Sequence, residues 1–243
     1  MKKALLIMTV IGFLTISSFA QGNSWNGGNG KGEHGPGWGI GFNGGMAELI
    51  NSLPYEDLSD AEIWGMTYMY EEEKLARDVY LTLHKTWKIK ILSNIANSEQ
   101  RHMDALKLLL QKYDIPIPVL NDEVGFFSNS KLQKLYHELV ARGETAPVDA
   151  VHVGATIEDL DIFDLKDYLS QADNSDIRTV YQNLMKGSRN HLRAFARHLL
   201  KYGVSYEATE YLSQDEVKEI INSPMERGLV DEDGNPIFGT TGW

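Results

Sequence analysis

Asn97-Ser98-Glu99-Gln100-Arg101-His102 sits in the middle of a long helical pattern. Steps of three and four residues pick out Leu92, Ile95, Glu99, His102, Leu106 and Leu109, an apolar stripe with one carboxylate and one imidazole set into it. Residues three apart share a helix face, so Glu99 and His102 turn together toward whatever the helix packs against. A carboxylate in an apolar interior is costly unless a charge pairs with it. A metal ion is one such partner, and Glu-x-x-His on an inward face is a ligand spacing used between packed helices. A single occurrence of that spacing is a weak sign, so the weight falls on what the other helices carry.

Upstream, Ser59-Asp60-Ala61-Glu62 is a capping box, and a helix is expected from there to about Lys85. Its stripe, Met66, Met69, Glu73, Ala76, Tyr80 and Leu83, again places a carboxylate in an apolar seam. A seam through Met69, Glu72, Ala76, Val79 and Leu83 is nearly as good, so periodicity leaves Glu72 and Glu73 open. After a short turn around Thr86 to Lys90, the helix carrying Glu99 should end near Tyr113, ahead of Pro116 and Pro118. Residues 114–145 are a long connection with one short helix, about Ser130 to Arg142, started by Asn129 or Ser130. Such a length lets the chain cross a bundle from end to end.

A third long helix is expected from Pro147, which suits a first turn, to about Ala172. Its stripe is Val151, Gly154, Glu158, Asp161, Leu165 and Tyr168, with two acids three residues apart. Asp159, Asp164 and Asp167 lie off that seam and read as solvated. Asn174 is expected to cap a fourth helix, about Ser175 to Tyr202, which Gly203 ends. Its stripe is Tyr181, Leu184, Ser188, His191, Phe195 and His198, so serine stands where the second helix has glutamate. His84, His137, His152 and His198 have no acid beside them on a seam and read as structural or exposed. In the tail, Ser213-Gln214-Asp215-Glu216 is a second capping box, opening a short helix to about Asn222. Asp233-Gly234 suits a small hairpin turn, and Asp231-Glu232-Asp233 lacks calcium-loop spacing and reads as surface.

The start of the chain reads differently. Met1-Lys2-Lys3 precedes an apolar run from Ala4 to Ile16 and then Ser17-Ser18-Phe19-Ala20, the pattern of a signal peptide cleaved near Ala20. The run is short for a membrane anchor, so no membrane insertion is expected after cleavage, and the protein is expected in the periplasm or outside the cell. Residues 21–57 form a tether and entry segment. Its Gly- and Asn-rich part, Gln21 to Gly45, has no periodicity and reads as flexible, with order beginning near Met46. The 58–203 region carries the four long helices, and 204–243 is a tail. The formal net charge of −11 disfavours nucleic acid and anionic membranes as partners and favours divalent cations. With no cysteine, disulfides, thiolate metal sites and haem attachment are excluded. No P-loop, dinucleotide fingerprint or Gly-x-Ser-x-Gly elbow occurs.

From about Leu58 to Tyr202 the sequence resembles the ferritin-like superfamily, in its rubrerythrin-like branch. More narrowly it looks like an uncharacterised ferritin-like domain family of bacteria and archaea. The resemblance rests on Glu71-Glu72-Glu73-Lys74-Leu75-Ala76-Arg77-Asp78-Val79-Tyr80, Ser98-Glu99-Gln100-Arg101-His102-Met103-Asp104, Asp161-Ile162-Phe163-Asp164-Leu165 and Gly187-Ser188-Arg189-Asn190-His191-Leu192. It implies an all-α fold, a four-helix bundle with one long crossover between its second and third helices and short accessory helices. It also implies a carboxylate and histidine metal site. The spacing before Ala76-Arg77 favours Glu73 over Glu72, and the implied ligands are Glu73, Glu99, His102, Glu158, Asp161 and His191. At Ser188 the second Glu-x-x-His of that pattern is broken, which removes one bridging carboxylate. Asp161 could stand in for it, and Arg189 or Arg193 could instead neutralise the acids without metal.

The leading expectation is therefore an exported protein that holds one or two divalent ions, iron first and manganese or zinc as alternatives. If redox-active, the centre would oxidise Fe(II) or reduce O2 or peroxide; no residue is assigned a catalytic role. A second expectation is a bundle that has lost this chemistry and serves as a structural or envelope interaction module. A third is a calcium- or zinc-stabilised structural protein. A homodimer is compatible with all three.

Overall fold

The computed structural model describes residues 40–119, 121–208 and 211–237, with side chains from residue 45. The expected signal peptide and most of the Gly-rich stretch lie outside the described residues. What is described is all-α: α1 (Ile40–Ser52), α2 (Asp60–Trp87), α3 (Lys90–Lys112), α4 (Ser130–Gly143), α5 (Pro147–Gln171), α6 (Ser175–Leu199) and α7 (Gln214–Asn222). The described residues contain no strand, and the turn at Asp233-Gly234 is closed by an isolated antiparallel bridge between Val230 and Pro236.

Local chemistry accounts for the helix ends. Ser59 and Glu62 form the capping box of α2, and Ser213 and Glu216 that of α7. Each such cap stabilises its helix by about 1 kcal/mol. Pro147 occupies the first turn of α5, and Asn129 caps α4 through its side chain. A 3-10 turn at Leu200–Tyr202 follows α6, and Gly203 ends it at φ 73°, a conformation that favours glycine. At the start of α6 the observed cap differs from the expected one. Asn174 occupies the cap position, but its side chain makes no capping bond. Its amide instead donates to the Tyr113 hydroxyl, while the Glu56 carboxylate accepts from the Ser175 N–H.

The four long helices pack in a closed cycle, α2 on α3, α3 on α6, α6 on α5 and α5 on α2. Their inward stripes supply the apolar core, with Met66, Met69, Leu83, Leu92, Leu106, Leu109, Val151, Leu165, Leu184 and Phe195 all fully buried. α4 lies against α2 and α5, and α7 against α6. The connection from α3 to α5 is pinned to α2: Lys74 donates to the Glu123 carbonyl, Asp78 accepts from the Gly125 N–H, and Glu71 accepts from the N–H groups of Ser128 and Asn129.

Two differences from expectation stand out. α1 begins at Ile40, inside the stretch whose composition reads as tether, and packs on α3 and α6 with Met46 and Ile50 buried. Asp159 is fully buried rather than solvated, because the Tyr206 hydroxyl and the Leu212 N–H, both from the C-terminal tail, donate to its carboxylate.

Candidate metal centre

Each of the four long helices brings at least one polar side chain to the middle of the core. α2 contributes Glu73, α3 contributes Glu99 and His102, α5 contributes Glu158 and Asp161, and α6 contributes Ser188 and His191. On α2 and α3 these residues follow the same stripes that carry the apolar core, so helix packing alone drives the polar groups together.

The groups converge as two triads that share one residue. The ligand atoms of Glu73, Glu99 and His102 lie within 4.8 Å of one another, as do those of Glu99, Glu158 and His191. Glu99 is divided between them. Its Oε2 lies 2.8 Å from His102 Nδ1 and its Oε1 lies 3.0 Å from His191 Nδ1. Glu73 Oε2 is 3.0 Å from His102 Nδ1, and Glu158 Oε2 is 3.4 Å from His191 Nδ1. The imidazole rings stack with centroids 5.5 Å apart. Thus all six residues named from the sequence reach the same interior region. Asp161 stands just outside the triads, with the Ser188 hydroxyl donating to its Oδ2.

Surrounding groups hold this arrangement. The Tyr80 hydroxyl donates to Glu158 Oε1 at 2.6 Å, which leaves Oε2 facing His191. Gly187 on α6 lies flat against His102: a Cβ there would come within 2.5 Å of Nε2 and displace the ring. Neither role follows from the helical stripes by themselves. Tyr80 does lie seven residues after Glu73 on the same stripe, which is a usable signal, whereas nothing local marks Gly187. Glu72, the rival of Glu73, is also buried but turns toward α5, where Asp164 and Asp161 act on it. Asp164 is accordingly half-buried rather than solvated, while Asp167 is exposed. Arg189 and Arg193 do not neutralise the centre, because both pair with Glu226 of the tail. Of the remaining histidines, His84 faces the Ile89 carbonyl and His152 the Arg142 guanidinium, while His137 is exposed and His198 half-buried.

The donors suit a cation better than they suit one another. Glu73 Oε1 and Asp161 Oδ1 are buried without a hydrogen bond, and both oxygens of Glu99 and His191 Nδ1 make no well-aligned one, although Glu99 comes within 2.8 Å of His102 Nδ1 and 3.0 Å of His191 Nδ1. Such an approach, off the N–H direction, is what atoms aimed at a common point produce. Without a cation, protons take its place. Burial would lower the His191 pKa, but Glu99 and Glu158 push it up to about 10, and Glu73 and Glu99 likewise raise that of His102. Burial and the Glu99 charge lift Glu73 and Glu158 to about 7, against the partial relief given by the imidazoles. Burial also raises Asp161, with Glu73 and Glu158 adding to it. Glu99 moves the other way: burial opposes its charge, yet the two imidazoles hold it well below the carboxylate range. Carboxylate and imidazole donors together suit iron, manganese or zinc. No described helix is long and apolar enough to cross a membrane.

Residues 62–224 match the family described as "Uncharacterized protein domain (DUF2202)". A relative from Methanocaldococcus jannaschii, the "Uncharacterized protein MJ0754", is 57% identical over 184 residues, spanning 76% of this chain and 99% of its own length. The crystal structure of hypothetical protein MJ0754 from Methanococcus jannaschii superposes with a TM-score of 0.70, at 57% identity, covering 72% of this chain and 99% of that one.

Proposed function

The chain belongs to the DUF2202 domain family, and within it we propose an exported metal-binding protein with a ferritin-like four-helix bundle of rubrerythrin-like pattern. In this reading α2, α3, α5 and α6 are the bundle, residues 113–146 are its long crossover, and the core holds two divalent cations, iron first. The observation that carries it is the division of Glu99 between two imidazoles, one oxygen within 3.0 Å of each Nδ1. Glu73 and His102 would hold one cation and Glu158 and His191 the other, with Glu99 offering an oxygen to each. Asp161, oriented by the Ser188 hydroxyl, supplies an acid from α5 where α6 has none. Export rests on the basic start and apolar run at residues 1–20.

Bound iron would supply one-electron chemistry toward Fe(II), O2 or peroxide. The chain's own residues would bind and orient: Tyr80 holds Glu158, Gly187 admits the His102 ring, and the apolar stripes on either side exclude bulk water. A second reading is favoured by the raised imidazoles, since two protonated histidines neutralise part of the acid charge with no metal. In that case the bundle is a structural or interaction module. Metal analysis separates the two. The purified protein should carry iron, manganese or zinc, and should melt lower after chelation. Glu99→Ala combined with His102→Ala should abolish both the metal and the chelator effect. Equal metal content in wild type and double variant, with no chelator effect, would leave the interaction module as the better reading.

A further inference from the structure

A second set of acids runs from the centre to the surface. On α5, Glu158, Asp161, Asp164 and Asp167 follow one another at three-residue steps. Three residues turn a helix by roughly 300°, so each step falls roughly 60° short of a full turn. The row therefore winds around the helix, and its burial follows. Glu158 and Asp161 are 1% and 3% exposed, Asp164 is half-buried and Asp167 is exposed. Glu72 of α2 stands opposite the middle of this row. It is 1% exposed and neither of its oxygens accepts a hydrogen bond from an N–H or hydroxyl.

Glu72 meets the Asp164 carboxyl within hydrogen-bonding reach, a contact two acids can keep only with a proton or a cation between them. The groups acting on it most strongly are Asp164, Asp161 and Glu73, all acids. The nearest lysine in sequence on α5, Lys166, pairs instead with Glu216 of α7. Asp161 likewise keeps Oδ1 without a donor. A buried acid among acids is destabilising unless a proton or a cation joins it. Among the described residues these side chains do not close a three-ligand group as the two triads do. That geometry suits passage rather than residence.

We propose that Asp167, Asp164 and Glu72 form a carboxylate ladder along which a divalent cation moves from solvent to Asp161 at the edge of the core centre. The inference rests on the metal-binding reading above. At each rung the cation exchanges some of its waters for carboxylate oxygens. Among the described residues no basic side chain pairs with Glu72, so a cation arriving there has no salt bridge to displace. The exposed end at Asp167 raises the local cation concentration. Tyr68 and Tyr168, with ring centroids 5.8 Å apart and both sensing Glu72 and Asp164, flank the passage. A competing entry exists past His191, whose side chain is 12% exposed.

The test is the rate of Co(II) uptake by the metal-free full chain, followed by stopped-flow absorption, with final occupancy measured by metal analysis. Glu72→Gln combined with Asp164→Asn should slow uptake at least tenfold and leave final occupancy equal to wild type. The wild-type rate should fall with salt, and that of the variant should fall less. Asp164→Asn alone, at a half-buried position that tolerates the change, should slow uptake by a smaller factor. An unchanged rate in the double variant overturns the ladder and points to entry past His191. Lower final occupancy in a folded double variant also overturns it, by making these acids resident ligands. Failure of wild type to bind Co(II) at all overturns the metal-binding reading itself, and the ladder with it.

Discussion

Buried carboxylates occur in two regions of this molecule, and they are treated in opposite ways. At the helix ends and under the crossover, every buried acid has donors. Glu62 accepts from Ser59, Asp173 and Asn174 N–H groups, and Asp176 from Lys112, Tyr113 and the Ile177 N–H. Asp78 accepts from Lys74, Arg77 and the Gly125 N–H. In the middle of the core, Glu72, Glu73, Glu99 and Asp161 all retain oxygens without donors. Burial opposes ionisation in both regions, but backbone N–H bonds bring Glu62 below its ordinary value while Glu72 rises well above. Burial of an acid therefore says little about function; the supply of donors separates the two kinds. Glu71, Glu72 and Glu73 show this within one turn of α2, facing the crossover, the acid row and His102 respectively.

The largest effect is expected where donors are plentiful. Asp78→Ala leaves Lys74, whose side chain is fully buried, without its counter-charge. Breaking a buried pair from one side costs about 3–5 kcal/mol. For a domain of this size that lowers the melting temperature by about 10 °C. Metal content per folded molecule should stay at the wild-type level. Loss of metal with normal melting would erase the distinction between the two regions.

Removing metal should have the next largest effect, and its pH dependence has a definite sign. A cation present at a hundred times its dissociation constant stabilises the fold by about 2.7 kcal/mol. In the metal-free protein Glu73 and Glu158 titrate near 7 instead of 4.5, and His191 near 10 instead of 6.5. Between those limits the folded state binds more protons than the unfolded chain, so stability is lost as pH rises. The acid part is lost from about 4.5 to 7 and the imidazole part from about 6.5 to 10. Bound metal displaces these protons and removes most of the slope. The difference in melting temperature between metal-loaded and metal-free protein should widen from pH 5 to pH 9. A constant difference would mean that these groups do not exchange protons for a cation.

What could be read from the sequence was what neighbours within one or two helical turns determine. The capping boxes at Ser59 and Ser213, Pro147 and the stripes through Glu73, Glu99 and His191 all belong to this kind. What could not be read depends on chain far away. Asp159 is buried because Tyr206 and Leu212 of the tail return to it. Arg189 and Arg193, adjacent to the centre in sequence, are drawn off by Glu226. α1 begins inside a Gly-rich stretch where propensity argues against a helix, and Met46 and Ile50 beyond it gain burial against the core. Periodicity left Glu72 and Glu73 equivalent because both lie in the α2 interior. Only the partner helices distinguish a position facing an imidazole from one facing more acids.

The smallest expected effect sharpens the comparison most, because it sets adjacent residues against each other. Glu71 accepts from two N–H groups of the crossover, so Glu71→Gln weakens charge-assisted bonds and should cost about 1 kcal/mol. Glu72 has no N–H or hydroxyl donor to lose, and burial, with the acids Asp164 and Asp161 beside it, favours the protonated form. In metal-free protein Glu72→Gln should therefore change stability by about 0.5 kcal/mol or less near pH 5, where an amide replaces a carboxyl of similar shape. The raised pKa of Glu72 means that wild type loses stability as pH rises, a loss the amide does not share. The variant should then melt above wild type at pH 9, while Glu71→Gln still melts below it. If Glu72→Gln is as damaging as Glu71→Gln at pH 9, Glu72 has donors after all, and the line between structural acids and cation-seeking acids must be redrawn through α2.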